Sequence, residues 1–258
     1  MGPMTGAGDT ECPLKGGNTT PVVRVGSTVR RQAGPWTPTI HALLRHVRRN
    51  GFQLAPDPIG FDAQGREIVS YLEGDAGHYP LPGWAWHDRL LTEIATLLRR
   101  YHDSTVGFTA PSATVWQLAP RQPAEVICHN DFAPYNIVFR DRRPAGVIDF
   151  DTASPGPRLW DVAYAAYRFV PLTAPDNPDT PISDTQTQRR RLTLFCAAYG
   201  GIETPRPVLH MAVQRLDALI DFITSRAAAG DPAQRRVLRR GDVDIYRSDR
   251  AHIHDKLI

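Results

Sequence analysis

The stretch His-Asn-Asp-Phe-Ala-Pro-Tyr-Asn at residues 129–136 is the most informative part of this chain. It places Asp131 five residues before Asn136, and the apolar segment 147–151 that follows carries a second carboxylate, Asp149. Phosphoryl transfer from a nucleotide needs one carboxylate to orient the attacking hydroxyl, and an amide oxygen and another carboxylate to hold magnesium. The pattern therefore predicts Asp131 as the catalytic residue and Asn136 and Asp149 as Mg²⁺ ligands.

Three further side chains near this loop have both a functional and a structural interpretation. His129 is a candidate catalytic group, but we favour a structural role in which its imidazole ties the loop to the backbone near Asp149. Asp151 could reach the metal through water or cap the turn at residues 152–154, and the cap is favoured. Asp161 is expected near the start of a helix, where it would brace the loop by accepting backbone hydrogen bonds.

Composition limits the possible classes of protein. The 258 residues, 41% of them apolar, can bury a substantial core. Three widely spaced cysteines form neither a disulfide framework nor a CxxC metal pair, which is typical of a reducing cytoplasm, so a cytoplasmic location is expected. No stretch has the roughly 18 apolar residues of a membrane helix, and the arginine clusters lack the interleaved aromatics of a nucleic-acid site. We expect neither a membrane nor a nucleic acid as partner, and the oligomeric state stays open.

Periodicity divides the chain into two lobes. Residues 21–32 and 59–72 are predicted as β-hairpins, with a helix between them that Thr37 or Thr39 could cap and that Asn50-Gly51 would end. The segment 73–77 interrupts all periodicity and is the expected hinge. Beyond it we predict helices at 86–102, 161–169, 189–199 and 208–228, short strands at 126–128, 137–139 and 146–150, and a weakly patterned basic tail.

These elements predict an α+β fold. The first 14 residues would be a flexible tail. Residues 15–73 would form a small lobe with an antiparallel sheet, and residues 74–258 a mostly helical lobe that carries the 129–136 loop.

The loop residues 129–136, together with 148–151 and Asp161, resemble the aminoglycoside phosphotransferase and choline kinase family of small-molecule kinases. The resemblance is strong over residues 126–165 and looser elsewhere. It implies a bilobal protein-kinase-like fold, ATP or alternatively GTP as phosphoryl donor, Mg²⁺ as cofactor, and a hydroxyl of an antibiotic or metabolite as acceptor. It assigns the catalytic role to Asp131 and metal binding to Asn136 and Asp149.

The resemblance also places the nucleotide in the N-terminal lobe. Backbone N–H groups of a glycine-containing loop would approach the phosphates, because glycine removes side-chain obstruction. The backbone between Ser70 and Leu72 would border the base. The residues of the expected phosphate loop are Gly16, Gly17, Asn18 and Thr19.

The chain departs from the family pattern at the phosphate anchor. The family has a lysine on the next strand and an orienting glutamate on the next helix, whereas this strand offers only Arg30 and Arg31 and the helix segment 40–46 has no acid. Arg31 is preferred as the anchor, with Arg30 as the alternative. A guanidinium is always charged and can bind phosphate oxygens without a carboxylate to orient it.

Two other functions are compatible with parts of this sequence. A protein kinase is disfavoured because Asn130 replaces the expected arginine, Asp151 replaces the expected glycine, and only eleven residues separate Asp149 from Asp161. A non-catalytic descendant, such as a nucleotide-binding or immunity-type protein, remains the alternative function.

The acceptor is not specified by the sequence. Asp217 and Asp221 lie one helical turn apart and could line a pocket for a cationic acceptor. A solvated helix face is the favoured interpretation of this pair.

Overall fold

An antiparallel sheet with strand order β1-β2-β3-β5-β4 forms the N-terminal lobe. The computed structural model describes residues 10–14, 21–181 and 184–258. Both predicted hairpins are present, and Gly26 adopts φ 58° in the first turn, a conformation that glycine takes readily. The strands are β1 (Cys12–Pro13), β2 (Val22–Val25), β3 (Thr28–Arg31), β4 (Pro58–Phe61) and β5 (Glu67–Ser70).

The sheet begins earlier than predicted. Cys12 pairs with Arg24 and Pro13 with Val23, and the Leu14 N–H donates to the Val22 carbonyl at 2.9 Å. Residues 12–14 therefore pair with the N-terminal sheet, just before the lobe boundary predicted at residue 15.

Helix α1 (Thr37–Arg49) packs one apolar stripe into the core. Its ending at Asn50 and Gly51 is as predicted, and Gly51 adopts φ 88°. The predicted cap was wrong, since Trp36 occupies the N-cap position and the Thr37 hydroxyl accepts from the Gly34 N–H at 2.9 Å instead. The buried stripe consists of Ile40, Leu43, Leu44 and Val47.

Two smaller sheets surround the 129–136 loop. One pairs β7 with β10, and the other has the order β6-β8-β9. The third predicted strand lies three residues earlier than expected, because Asp149 adopts φ 62° and cannot continue a strand. The strands are β6 (Asp75–Ala76), β7 (Val126–Cys128), β8 (Ile137–Arg140), β9 (Arg143–Val147) and β10 (Ser154–Gly156).

The C-terminal lobe is mainly helical, and the prediction of an α+β fold is confirmed. Its helices pack in two main pairs, α2 on α4 and α3 on α5, and the predicted basic tail is in fact helical. None of the helices in the described residues is both long and apolar enough to span a bilayer. The helices are α2 (Asp88–Thr105), α3 (Arg158–Phe169), α4 (Thr185–Tyr199), α5 (Arg206–Ala228), α6 (Pro232–Arg239) and α7 (Asp242–His252), followed by a short π-helix at Ile253–Leu257.

The chain changes sheets at Gly74. Strand β5 pairs in the N-terminal sheet, whereas β6 pairs with β8, Asp75 opposite Phe139. Gly74 has φ 136°, and a Cβ added there would overlap the Phe139 carbonyl and the Val138 side chain. Only glycine fits where the two lobes meet.

We expect Gly74→Ala to destabilise the protein by roughly 2–4 kcal/mol, because the substitution adds a steric clash to a backbone conformation that alanine avoids. Gly26→Ala is the matched control, since its Cβ would meet nothing within 4 Å and only the left-handed conformation costs free energy, about 1 kcal/mol. Urea denaturation of both variants measures the difference. Equal losses would contradict the steric argument.

Candidate functional site

One buried carboxylate holds the start of the 129–136 loop. Asp161, in the first turn of α3, accepts hydrogen bonds from the backbone N–H groups of His129 at 2.7 Å and Asn130 at 2.8 Å. Its Oδ2 also lies 3.1 Å from His102 Nε2, while His102 Nδ1 lies 2.8 Å from the Tyr199 hydroxyl. Burial opposes the charge on Asp161, but the hydrogen bond from His102 and the nearby donors hold its pKa below the ordinary value. The expected bracing contacts are present.

Hydrogen bonds hold the backbone and the side chain of Asn130. Its φ of 66° is rare outside glycine and costs free energy that surrounding contacts must offset. The side-chain Nδ2 donates to the Thr152 carbonyl and Ser154 Oγ, both at 2.9 Å, and Oδ1 accepts from Trp160 Nε1 at 3.0 Å. Arg215 donates to the Asn130 carbonyl at 2.6 Å. The residue before Asp131 is therefore held from several sides.

His129 links the loop to the strand that leads to Asp149. Its Nε2 lies 3.0 Å from the Ile148 carbonyl, which is the contact expected from the sequence. Its Nδ1 accepts from the Asp131 N–H at 3.3 Å, so Nε2 carries the ring hydrogen. The side chain is completely buried, and these contacts are those of a positioning residue.

Asp131 lies at the centre of the loop with both carboxylate oxygens engaged. Tyr135 donates its hydroxyl hydrogen to Oδ1 at 2.7 Å, and Asn136 Nδ2 donates to Oδ2 at 2.9 Å. Burial raises the pKa of Asp131, against the opposing effect of the Tyr135 hydrogen bond. The group is thus more basic than a free carboxylate, which suits a residue that accepts or orients a proton. Tyr135 was not singled out from the sequence.

Asn136 and Asp149 present two oxygens of the kind that Mg²⁺ prefers. The Asn136 Nδ2 donates to Asp131 at both the carboxylate and the carbonyl, which leaves its Oδ1 as the oxygen available to a cation. The Asp149 side chain is about half exposed at 52%. The two segments are joined because the Ile148 N–H donates to the Asn136 carbonyl at 2.9 Å.

This donor set fits magnesium only together with a nucleotide. No group of three or more His, Cys, Asp or Glu side chains in the described ranges could hold a metal ion. An octahedral Mg²⁺ bound by Asn136 and Asp149 would take its other ligands from water and phosphate oxygens, as is usual at nucleotide sites.

Arg31 connects the two lobes through three carboxylates. From β3 its Nε donates to Glu67 Oε2 at 2.5 Å, one terminal nitrogen donates to Asp149 at 3.0 Å, and the other donates to Asp151 at 2.6 Å. Burial disfavours its charge, but the carboxylates of Asp151, Glu67 and Asp149 raise its pKa above the ordinary value. A cation therefore lies beside the predicted metal ligand.

The orienting acid that the helix lacks comes from the neighbouring strand. Glu67 on β5 stands directly opposite Arg31 in the strand register and is 1% exposed. Helix α1 still contributes, because His41 Nε2 lies 2.9 Å from Glu67 Oε1. The helix indeed lacks the orienting acid, as the sequence indicated, but Arg31 has a carboxylate partner in Glu67. Arg31 and Glu67 lie in different predicted hairpins. Pairing β3 of the first hairpin with β5 of the second was the signal that could have identified Glu67.

Asp151 binds Arg31 instead of capping the following turn, so the favoured interpretation of this residue was wrong. Its carboxylate faces the N-terminal lobe, where Arg31 is its closest cation. Burial raises the pKa of Asp151 to about 6, with Asp149 and Glu67 adding to the effect and Arg31 opposing it.

The remaining predicted nucleotide residues are less closely associated with this centre. Arg30 is adjacent to Arg31 on β3, so its side chain leaves the opposite face of the sheet, and its buried Nε has no hydrogen-bond partner in the described structure. The Ser70 N–H donates to the Asp57 carbonyl, while no backbone hydrogen bond from Leu72 is present among the described residues. The predicted phosphate loop of Gly16, Gly17, Asn18 and Thr19 lies outside the described residues.

The buried His102 predicts a pH dependence of stability. Burial lowers the pKa of His102 in the folded protein. Below pH 6.5 the unfolded chain therefore binds more protons, so the free energy of unfolding falls as the pH decreases through this range. We expect the stability difference between the wild type and His102→Gln to shrink from pH 7.5 to pH 5.5 in urea titrations. A pH-independent difference would contradict it.

The chain matches proteins of one family. The model of the phosphotransferase enzyme family (APH) matches residues 110–195, which include the 129–136 loop. A trifolitoxin immunity protein from Rhizobium leguminosarum bv. trifolii is 40% identical over 199 residues, 74% of this chain and 74% of that protein.

Solved structures of small-molecule kinases have the same fold. Amicoumacin kinase in complex with AMP-PNP and Ca²⁺ matches with a TM-score of 0.66 and 12% identity, covering 95% of this chain and 88% of that one. The GDP complex of aminoglycoside 2'-phosphotransferase-IIIa matches with a TM-score of 0.61 and 13% identity, covering 96% and 94%. At these identities the likeness establishes the protein-kinase-like fold alone.

Proposed function

Because the chain belongs to the phosphotransferase enzyme family, we propose that it transfers the γ-phosphate of Mg²⁺-bound ATP to a hydroxyl of a small molecule. One observation carries this proposal. Asp131 and Asn136 are in hydrogen-bond contact, and the adjoining Asp149 is reached by a cation from the opposite lobe. These are the groups that an in-line phosphoryl transfer needs.

Asp131 would orient the acceptor hydroxyl and take its proton. Its raised pKa favours proton acceptance nearer to neutral pH than an ordinary carboxylate would allow. Tyr135 and Asn136 hold the two carboxylate oxygens, so the carboxylate is positioned before the acceptor arrives.

Arg31 would hold the phosphates. Glu67 and His41 fix the guanidinium from behind, which leaves the two terminal nitrogens directed at the Asp149 and Asp151 carboxylates. These nitrogens could bind phosphate oxygens as a fork, in place of the family's lysine. Mg²⁺, held by Asn136 and Asp149, would neutralise charge on the transferred phosphoryl group. ATP is preferred as donor because a fold relative was solved with AMP-PNP, and GTP is the alternative because another was solved with GDP.

A second candidate is an immunity-type protein that binds nucleotide without turnover. The observation that favours it is the 40% identity to a trifolitoxin immunity protein. The two candidates differ in their need for Asp131, since a binding module requires no catalytic carboxylate.

We expect Asp131→Asn to reduce kcat by roughly 10²–10⁴-fold, because the proton acceptor is lost, while Mg²⁺-AMP-PNP affinity stays nearly unchanged. The oxygen of the substituted amide can still accept from Tyr135, but its NH2 group would face Asn136 Nδ2, so the fold of the variant is checked by thermal denaturation. ATP consumption is assayed with a panel of hydroxylated acceptors, and nucleotide affinity by calorimetry. If no acceptor raises turnover above the Asp131→Asn background, the enzyme proposal fails. Protection of trifolitoxin-sensitive cells by both the wild type and Asp131→Asn would then support the second candidate.

Arg31→Ala should weaken Mg²⁺-AMP-PNP binding by roughly 10–100-fold, because charge-assisted hydrogen bonds to phosphate are lost. Arg30→Ala is the matched control on the same strand and should bind normally. The double variant Arg31→Ala/Glu67→Gln removes the buried charge that Arg31→Ala leaves unpaired, and separates loss of binding from loss of folding. Normal affinity in a folded double variant would mean that another group holds the phosphates.

A further inference from the structure

Asp151 is a carboxylate of the cleft that the proposed transfer does not use. In that transfer Asp131 orients the acceptor hydroxyl and Asp149 takes part in metal binding. Asp151 has neither task, yet its Oδ1 accepts from a terminal nitrogen of Arg31 at 2.6 Å. This contact is shorter than the 3.0 Å contact between Arg31 and Asp149. Asp151 therefore occupies one of the two nitrogens that the proposed function assigns to phosphate.

The backbone that carries Asp151 is tied to the catalytic loop. Asp151 lies in the short turn Phe150–Thr152, and Thr152 Oγ1 donates to the His129 carbonyl at 3.0 Å. The Asp151 side chain is 23% exposed, and Arg31 is its one ion-pair partner within the described ranges. The turn thus holds this carboxylate within reach of the guanidinium.

Three carboxylates share one guanidinium at this point of the cleft. Arg31 contacts all of them, and they are Glu67, Asp149 and Asp151. When all are ionised, the cluster carries more negative than positive charge, so an entering phosphate is repelled. Bound Mg²⁺ would offset the charge of Asp149. The indole of Trp36 lies near Asp151 but is neutral and cannot balance its charge.

Glu67 cannot give way to a phosphate, whereas Asp151 can. Glu67 is 1% exposed, its Oε1 lies 2.9 Å from His41 Nε2, and its Oε2 accepts from Arg31. Because Asp151 is partly exposed, water can hydrate its carboxylate once another oxygen has taken its place. Carboxylate and phosphate oxygens bind a guanidinium N–H at similar lengths, about 2.7–2.9 Å. Asp151 is therefore placed on Arg31 as a phosphate oxygen would be.

We propose that Asp151 is an internal competitor of the nucleotide, and that it holds a phosphate-binding nitrogen of Arg31 until a phosphate oxygen displaces it. The inference rests on the proposed function, in which Arg31 holds the phosphates. Nucleotide affinity is then set by the difference between two interactions of one guanidinium, with phosphate and with Asp151.

The first test compares the wild type with Asp151→Asn by calorimetry of the full chain with Mg²⁺-AMP-PNP at pH 7.5. The asparagine keeps the side-chain volume and can still accept from Arg31, but the contact loses its charge. We expect Asp151→Asn to bind the nucleotide roughly 3–5-fold more tightly, because it loses the competing ion pair. Asp141→Asn is the matched control, since it removes the same charge from the exposed turn between β8 and β9 and should leave the affinity unchanged.

The gain in affinity must depend on Arg31. In the Arg31→Ala background, Asp151→Asn should no longer tighten binding, because the nitrogen for which carboxylate and phosphate compete is gone. An equal gain in that background would mean that Asp151 repels the phosphates only at long range, and this outcome overturns the proposal.

A role of Asp151 at the metal predicts the opposite result. If Asp151 helped to hold Mg²⁺, Asp151→Asn would weaken the binding of Mg²⁺-AMP-PNP, and the loss would disappear when EDTA removes the metal. A competitor for Arg31 instead predicts tighter binding by the variant both with Mg²⁺ and with EDTA. Unchanged or weaker binding of Mg²⁺-AMP-PNP by Asp151→Asn overturns the proposal.

These binding measurements need no acceptor, which separates this inference from the proposed function. Tighter binding by Asp151→Asn without turnover of any acceptor would leave the competition intact while the phosphotransfer proposal fails. Turnover of an acceptor by the wild type, together with no gain in the affinity of Asp151→Asn, would leave the kinase intact and overturn the competition.

Discussion

The hydrogen bonds that the Asp161 carboxylate accepts are the interaction on which the rest of the site depends. This buried group joins α3 and α2 to the first two residues of the 129–136 loop, through the backbone of His129 and Asn130 and the His102 ring. Asn130 holds a left-handed conformation only because these contacts and those of its side chain offset the cost. The direction in which Asp131 leaves the loop is thus set by buried residues around the start of the loop.

The second constraint is that one guanidinium, that of Arg31, binds carboxylates of both lobes. A lysine anchor would offer a single point charge, whereas Arg31 offers three nitrogens and directs them at Glu67 on its own sheet and at Asp149 and Asp151 across the cleft. Nucleotide phosphates would have to replace two of these carboxylate contacts. Binding of the nucleotide would then exchange ion pairs within the protein for ion pairs with phosphate, and its net free energy would depend on how far a bound Mg²⁺ neutralises Asp149.

The sequence predicted the parts of the site that are local in the chain. Asp131, Asn136 and Asp149 fall within nineteen residues, and short strands of recognisable pattern flank them, so spacing alone was enough to propose a role for each. Glu67 lies 36 residues from Arg31, and its role follows from the pairing of β3 with β5, which needs the sheet order as well as the strands. The contacts that hold Asn130 come from Trp160 on α3 and Arg215 on α5, and periodicity does not specify how those helices pack around the loop.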